Sequence, residues 1–289
     1  DWRKLAAMNN LFFPPESGGV VRRRQLLKLG ATKHDITAAV RDGDLLRVRR
    51  GWYSLPGADP RVVSAVKCGA VVTCVSALRY LTVWVVPSPV IHVRETEHRA
   101  RFPLQKSAGI HVCSPVQRDA APCPSAIDDV GNALVSVARC RPLWEIVAAL
   151  DSVLHRRLLA PNQLQELLGG LGQRASEALM LMSDQRESGL ETRLHLALRA
   201  AGIRHSCQVW ILGFRIDFQI ERLLIETDGR TFHETAEAFE ADRERDRRLA
   251  AAGYHVVRVT YRQVMFELDA VMSDILQMIR RGDHLRKYR

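Results

Sequence analysis

Acidic and imidazole side chains gather around two apolar segments in the C-terminal third of the chain. Asp217 lies within "RIDFQI", and Glu226 follows nine residues later within "LLIETDG". Asp228 and His233 come shortly after Glu226. Each apolar segment predicts a strand, and the "ERL" between them predicts a tight turn. We therefore expect two adjacent antiparallel strands that place Asp217 and Glu226 a few ångströms apart.

Two carboxylates at that separation repel each other, and burial raises the cost of keeping both charged. A divalent cation removes both penalties. Mg²⁺ prefers oxygen ligands, keeps several waters and usually takes one or two protein carboxylates. When bound it polarises a phosphodiester and lowers the pKa of a bound water. The sequence thus predicts a Mg²⁺ site, in which Mn²⁺ can substitute, held by Asp217, Glu226 and Asp228.

His233 and Glu191 complete the predicted catalytic set. An imidazole has an ordinary pKa of about 6.5, which suits proton transfer at neutral pH, so His233 is predicted to activate water. Glu191 lies in the first turn of the predicted helix "SGLETRLHLALRAAGI" and is expected to support the hydration shell of the metal. The alternatives are structural: a surface Asp217, a turn at Asp228, a helix-start His233, and a Glu191 that only complements the helix dipole.

The elements that must position these residues follow one another from residue 187. They are a helix, three strands, a charged helix, a fourth strand and a closing helix. A strand Asp, a hairpin and a strand Glu, with a Glu on the preceding helix, resemble the PD-(D/E)XK nuclease pattern, although Asp228 stands where that pattern usually has Lys. The segments "RIDF", "IETDGRTFH" and "ADRERDRRLAAAGYHVVRV" are similar to the very-short-patch-repair (Vsr) endonucleases. They are more similar to uncharacterised bacterial proteins with Vsr-like nuclease domains. The resemblance covers about residues 187–279.

This resemblance has several implications for the site. It implies that Asp217 holds Mg²⁺ and that His233, four residues after Gly229, is the base. Glu226 and Asp228 follow the Glu-x-Asp-Gly pattern of the uncharacterised group. Vsr enzymes also bind a structural zinc and recognise a T:G mismatch with aromatic wedges. This sequence shows neither a matching Cys and His set nor a matching aromatic cluster, so we predict no zinc. Mismatch specificity is not implied by the resemblance, and it either comes from the winged domain or is absent.

Residues 20–57 predict a helix, a turn, a second helix and a two-stranded wing. Gly30 closes the first helix, and Thr32 is the expected N-cap of the second. The wing is predicted because Leu46 and Val48 alternate with basic residues. This segment, with the later "VSALRYL", resembles the N-terminal domain of AbiEi-type antitoxins and of related winged-helix regulators, over about residues 20–85. The resemblance implies operator or DNA binding, and does not by itself imply a toxin partner.

The charge of this segment agrees with a DNA-binding role. Residues 1–57 contain 11 Lys and Arg against 5 Asp and Glu, a difference of +6. A winged unit can place its second helix in the major groove and its wing on phosphates. Winged folds also serve as protein-interaction modules, which is the alternative. The predicted DNA contacts are Lys33, His34 and Arg41 on the second helix and Arg47, Arg49 and Arg50 on the wing.

The whole chain of 289 residues has a formal net charge of +10 and a pI of about 9.7, which fits a polyanionic partner. We predict three parts: a winged-helix DNA-binding domain at 1–60, a connecting mixed and helical region at 61–183 that completes the N-terminal part, and a PD-(D/E)XK nuclease-like domain at 184–289. The fold class is α/β (α+β overall). It combines a winged helix-turn-helix with a helical extension and a restriction-endonuclease-like domain, whose mixed central sheet is flanked by helices.

Composition also bears on the compartment. The chain begins at Asp1 rather than Met, so we expect a leader before it, and the first fifteen residues lack the apolar core of a signal peptide. The most apolar window, residues 70–86, carries Arg79 and is expected to be a core element rather than a membrane span. Six cysteines are scattered without a CxxC pair, which indicates reduced thiols. We expect a cytoplasmic protein with no membrane partner.

Together these features predict a Mg²⁺-dependent DNA endonuclease that works in phage defence, DNA repair or mobile-element control. The alternative is an AbiEi-like antitoxin or transcriptional regulator whose nuclease-like domain is inactive. An RNA-binding or ribonuclease role is less favoured, because the sequence shows no aromatic platform for stacking bases. DNA is the expected partner. A homodimer and an operon-encoded partner protein remain open, and the sequence does not specify the DNA that is cut.

Overall fold

A computed structural model describes residues 13–95, 109–113, 125–228 and 236–285 of the chain, with the side chains of residues 236–239 also outside the description. The chain forms two compact units, Asp1–Leu181 and Met182–Arg289. Both contain helices and strands, which confirms the mixed α and β class. The predicted parts 1–60 and 61–183 fall almost wholly within the first unit.

The first unit begins with a winged arrangement of short elements. They are β1 (Val20–Arg22), α1 (Arg23–Lys28), α2 (Lys33–Arg41), β2 (Leu46–Arg49) and β3 (Trp52–Ser54). The strands form an antiparallel sheet in the order β1-β3-β2. The wing hairpin of β2 and β3 thus gains a third strand, β1, that the sequence pattern did not predict.

Local chemistry sets the start of α2. The side chain of Thr32 accepts a hydrogen bond from the backbone N–H of Asp35, whose carboxylate accepts one at 2.9 Å from the backbone N–H of Thr32. This reciprocal capping satisfies two backbone donors that the first turn leaves without helical partners. Gly30 precedes it at φ +98°, a conformation that glycine adopts without steric cost.

The expected alternation along β2 is wrong in one respect. The register of β2 against β3 shifts between Arg47 and Arg49, so that Val48 is an extra residue in the strand. A bulge of this kind breaks the two-residue periodicity of a strand. Leu46 is 49% exposed, and Val48 is partly buried.

The rest of the first unit contains a second small sheet and a group of helices. Strands β4 and β5 are antiparallel, and β5 and β6 are parallel. Within the sheet, Arg94 and Asp128 form a buried ion pair with two contacts of 2.6 Å. In chain order the elements are α3 (Pro60–Lys67), β4 (Ala70–Val72), α4 (Cys74–Tyr80), β5 (Ile91–Glu95), β6 (Ile110–Val112), α5 (Val130–Cys140), α6 (Leu143–His155), α7 (Pro161–Leu168) and α8 (Gln173–Leu181).

The apolar window at residues 70–86 contains β4 and α4, and most of its side chains through Leu78 are buried. It is therefore a core segment, as the sequence predicted. Among the described residues, no helix is both long enough and apolar enough to cross a membrane.

The second unit is built on a four-stranded mixed sheet in the order β10-β9-β8-β7. Strands β10 and β9 are parallel, and the other two pairs are antiparallel. The predicted closing helix is two helices that meet at Glu267. The elements are α9 (Gly189–Ala200), β7 (Ser206–Ile211), β8 (Phe214–Ile220), β9 (Leu223–Asp228), α10 (Ala236–Ala251), β10 (His255–Thr260), α11 (Tyr261–Phe266) and α12 (Leu268–Arg280).

Candidate functional site

Asp217 on β8 and Glu226 on β9 lie at the point where regular pairing of their strands ends. The registered pairs run from Ile220–Leu223 to Phe218–Ile225, and one further step would set Asp217 opposite Glu226. At this position the Asp217 carboxylate accepts the hydrogen bond that a backbone carbonyl would accept in a regular strand pair. Thr227 donates to Oδ2 of Asp217 from its backbone N–H at 2.8 Å and from its hydroxyl at 2.9 Å. These bonds fix the orientation of the Asp217 carboxylate.

Gln208 on β7 bridges two of the acidic residues. Its Nε2 donates to Oε2 of Glu191 at 2.8 Å and to Oδ1 of Asp217 at 3.2 Å. Its φ angle is +53°, which is unusual for a non-glycine residue in the middle of a strand. Such strain persists when the surrounding contacts determine the conformation, and it is concentrated at functional sites. Gln208 thus joins α9 to the carboxylates of the sheet.

Glu191 is the most buried carboxylate of the group, with 5% of its surface exposed. Besides the bond from Gln208, it accepts hydrogen bonds from Ser188 Oγ at 2.7 Å and from the backbone N–H of Glu187 at 3.0 Å. Burial raises the pKa of Glu191, these hydrogen bonds oppose that effect, and the nearby Asp217 charge raises the pKa further. The site therefore holds two neighbouring carboxylates, and the charge of Asp217 disfavours ionisation of Glu191.

Glu226 faces two arginines. Arg245 on α10 forms an ion pair with its Oε1, and Arg258 on β10 lies 3.8 Å from its Oε2. Arg258 also donates to Asp246 at 2.7 Å. Burial raises the pKa of Glu226, and the two arginines act in the opposite direction. Arg245 thus reaches from α10 to the sheet, whereas Arg243 lies 3.7 Å from Asp246 on the same helix.

Asp217, Glu226 and the two arginines that face Glu226 line one open cleft of about 210 Å³. Its wall combines carboxylates with three guanidinium groups, an arrangement suited to a divalent cation and a phosphate. The oxygen donors fit a hard cation in chemistry, because Asp217 and Glu226 are adjacent and both are only partly exposed. The lining residues are Arg215, Asp217, Glu226, Thr227, Asp228, Asp242, Arg245 and Arg258.

The structure brings together four of the five residues predicted to act in catalysis. Gln208 joins Glu191 to Asp217, and Asp217, Glu226 and Asp228 line one cleft, with Asp228 at the exposed end of β9. His233 lies outside the described residues. Sequence reasoning missed Gln208 and the role of Arg245. A polar residue in the middle of the apolar "SCQVWI" strand was the available signal for Gln208.

The residues predicted to contact DNA differ in their surroundings. Lys33, His34, Arg41, Arg47 and Arg50 are exposed. Arg41 forms an ion pair with the neighbouring Asp42 at 2.9 Å. Arg49 is partly buried and donates to the backbone carbonyl of Val66 at 3.4 Å, near the end of α3. Arg49 therefore has a contact within its own unit, whereas the other wing arginines project into solvent.

In comparisons with known proteins, the two family matches fall in different units of the chain. Residues 190–279 match the family REase_MTES_1575, and residues 15–56 match AbiEi_4, described as "Transcriptional regulator, AbiEi antitoxin". Among solved structures, the "Homing Endonuclease I-Bth0305I Catalytic Domain" is similar at 20% identity, over 32% of this chain and 95% of that one, with a TM-score of 0.29. Comparison with curated proteins finds no match. The chain carries an AbiEi antitoxin domain near its N-terminus and a restriction-endonuclease-like domain at its C-terminus.

Proposed function

We propose that the protein is a Mg²⁺-dependent DNA endonuclease whose N-terminal winged domain holds the DNA. One observation carries this proposal: Asp217, Glu226 and Asp228 share a cleft with Arg215, Arg245 and Arg258. Cleavage of a phosphodiester requires stabilisation of the negative charge that develops on the phosphate, and preorganised positive groups supply it. Carboxylates and guanidiniums in one cleft match that requirement.

Asp217, Glu226 and Asp228 are the residues that would hold the divalent cation. When bound, the cation would polarise the phosphodiester and lower the pKa of a coordinated water. Mn²⁺ would bind the same oxygen donors. Burial raises the pKa of Glu226, and a bound cation would favour its ionised form.

The surrounding residues position these ligands. Gln208 and Thr227 fix both oxygens of Asp217, and Glu191 anchors Gln208 from the opposite side. Arg245 and Arg258 supply the positive charge that a Lys at the Asp228 position would otherwise bring. Both guanidiniums lie beside Glu226 in the cleft, where they would be within reach of a phosphate that enters it. His233 remains our proposed general base, following Gly229 after the end of β9.

The winged domain would bind the duplex through exposed cations. Lys33, His34 and Arg41 lie on α2, and Arg47 and Arg50 on the wing. Their contacts with phosphates would give affinity without sequence information. Arg49 is the weakest member of the predicted set because it already contacts Val66. A DNA partner leads us to propose action in the cytoplasm.

The match to AbiEi_4 favours a second candidate function, a transcriptional regulator or antitoxin. In this alternative the winged domain would repress an operon, and the nuclease-like domain would not cleave. Self-association or an operon-encoded partner protein would then carry the remaining function. The two proposals differ in one measurable property, which is metal-dependent cleavage by the C-terminal domain.

Cleavage of supercoiled plasmid and short duplexes with Mg²⁺, Mn²⁺ or EDTA tests this proposal. We expect nicking with either metal, none with EDTA, and a loss of at least about 100-fold in Asp217→Asn and Glu226→Gln. Asp274→Asn, an exposed change on α12, is the matched control and is expected to cleave normally. Tight duplex binding without cleavage by wild type in any metal would instead support the regulator.

A further inference from the structure

A second group of potential ligands lies in the first unit, in the part between the winged segment and the C-terminal helices. Cys74 begins α4, His92 lies on β5, Cys113 follows β6, and Cys140 ends α5. Four separate elements thus bring their side chains to one place. The thiols of Cys74, Cys113 and Cys140 are hydrogen-bond neighbours of one another.

Two sets of three potential ligand atoms lie close together, and Cys113 belongs to both. The ligand atoms of Cys74, His92 and Cys113 all lie within 4.8 Å of one another, and so do those of His111, Cys113 and Cys140. The Nδ1 of His92 is 3.7 Å from Sγ of Cys113. Zinc bonds of about 2.3 Å to sulfur and about 2.0 Å to nitrogen place tetrahedral ligand atoms roughly 3.5–3.8 Å apart.

His92 has the second contact expected of a metal-binding imidazole. Its ring is buried, and its Nε2 lies 3.2 Å from Ser88 Oγ. Ser88 also accepts a bond from the backbone N–H of Val90. When Nε2–H donates to Ser88, Nδ1 keeps its lone pair, which faces the thiol of Cys113. Such an outer hydrogen bond fixes the tautomer and ring orientation of a histidine ligand.

The backbone at Cys74 gives an independent indication. Its φ is +55°, although it is a non-glycine residue in the first position of α4. Buried thiols in a core behave as small apolar groups and need no such conformation. Strain, thiol contacts and the aligned imidazole therefore coincide at one position.

We propose that Cys74, Cys113, Cys140 and His92 bind one structural zinc ion. Three thiolates and one imidazole form a closed tetrahedral set of the kind that structural zinc sites use. Soft sulfur donors separate this site from the oxygen-rich cleft of the second unit and from its preference for Mg²⁺. The ion would tie α4 and α5 to the sheet of β4, β5 and β6. The sequence spacing predicted no zinc. The proposed site differs because its ligands are far apart in the sequence.

The second unit contains a smaller group of potential metal ligands. Metal bound there must be distinguished from metal bound in the first unit. His195, His205 and Cys207 offer three ligand atoms within 4.8 Å of one another. Two of these atoms, Nδ1 of His195 and Nε2 of His205, lie 2.9 Å apart and can instead share a hydrogen bond. Every variant is therefore prepared in a Cys207→Ser background, so that retained metal reports on the first unit.

Metal content of the full chain tests the site. The protein is purified under reducing conditions with added zinc, dialysed exhaustively and measured by elemental mass spectrometry. We expect one zinc ion per chain, its loss in Cys113→Ser, and its retention in Cys68→Ser, which alters a partly buried cysteine outside the group. Asp217→Asn is expected to retain the zinc, so that failure of the nuclease proposal and failure of this one are distinguishable.

Cobalt substitution tests the ligand assignment. The Co²⁺ form is expected to show intense bands of tetrahedral cobalt and thiolate charge-transfer bands, changed by His92→Asn and unchanged by His111→Asn. If Cys113→Ser does not fold, the Cys207→Ser protein still provides the test, because a strong chelator should lower its melting temperature. Zinc-free wild type with no cobalt bands, a disulfide among the three thiols, or equal retention by Cys113→Ser and Cys68→Ser would overturn the proposal. A cobalt spectrum changed by His111→Asn alone would overturn the choice of His92.

Discussion

The bridge made by Gln208 allows a quantitative test of the site. Its amide donates to two carboxylates, at 2.8 Å to Glu191 and at 3.2 Å to Asp217. Hydrogen bonds to charged groups contribute about 1.5–3 kcal/mol each. Asp217 is partly exposed, and water can replace some of its bond. We therefore expect Gln208→Ala to lower the free energy of unfolding of the second unit by about 3 kcal/mol.

The backbone conformation at Gln208 also predicts which of two substitutions, Gly or Ala, is the more stable. At an ordinary strand position, Gly is less stable than Ala by about 0.5–1 kcal/mol, because its unfolded chain has more freedom. At φ +53° the order reverses, since Ala pays a steric cost that Gly avoids. We expect Gln208→Gly to be more stable than Gln208→Ala by about 1 kcal/mol. The comparison isolates backbone strain, because both variants lose the same two hydrogen bonds.

Hydrogen exchange followed by mass spectrometry measures both effects in the full chain, using peptides from β7, β8 and β9 in the presence of EDTA. Gln219→Ala is the matched control on the same sheet. Its amide donates only to the backbone carbonyl of Glu221, so its loss should cost about 1 kcal/mol. A Gln208→Ala variant within about 0.5 kcal/mol of wild type, or a Gly variant less stable than the Ala variant, would refute this reasoning.

Three further predictions concern charge. Because burial raises the folded-state pKa of Glu191 and Glu226 above the ordinary 4.5, each stabilises the fold below that value and loses this contribution as pH rises through its folded pKa. Urea unfolding in EDTA should therefore show stability falling with pH just above 4.5, with a shallower fall in Glu191→Gln; a rise with pH in this window would contradict the assignment. Arg94→Met should cost about 3–5 kcal/mol in thermal unfolding by removing the guanidinium that pairs with the buried Asp128, and Asp128→Leu in the same chain should recover part of the loss, whereas additive losses would argue against the buried pair. Lys33→Ala should reduce the salt dependence of duplex binding by about one phosphate contact, while Arg49→Ala should mainly affect stability because of its bond to Val66; an unchanged slope for Lys33→Ala would remove α2 from the interface.

Local sequence predicted much of this fold because local physics decides those parts. Thr32 and Asp35 form the reciprocal cap that starts α2, and its residue types are sufficient to anticipate it. The alternation of Ile216, Phe218 and Ile220 predicted β8, and all three are buried. The prediction that Asp217 lies beside Glu226 depended only on a short turn between two strands.

The remaining features depend on contacts between distant segments. Gln208 adopts its strained conformation within a network that includes α9 and β8, and nothing in "SCQVWI" specifies that conformation. Leu46 is exposed because a bulge interrupts β2, and its alternating sequence concealed that bulge. Cys74, Cys113 and Cys140 lack any local metal-binding spacing, since each comes from a different element. Only the tertiary fold brings such residues together.

The central claim is that Asp217 and Glu226 hold the divalent cation of a nuclease site. The most direct test is the anomalous diffraction of Mn²⁺ in crystals of the full chain, grown with a short duplex in the Asp274→Asn control and in Asp217→Asn. We predict a Mn²⁺ peak between the carboxylates of Asp217 and Glu226 in the control, next to a backbone phosphate, and no peak there in Asp217→Asn. A cleft without Mn²⁺ at saturating concentration, or the same peak in both proteins, would contradict the claim.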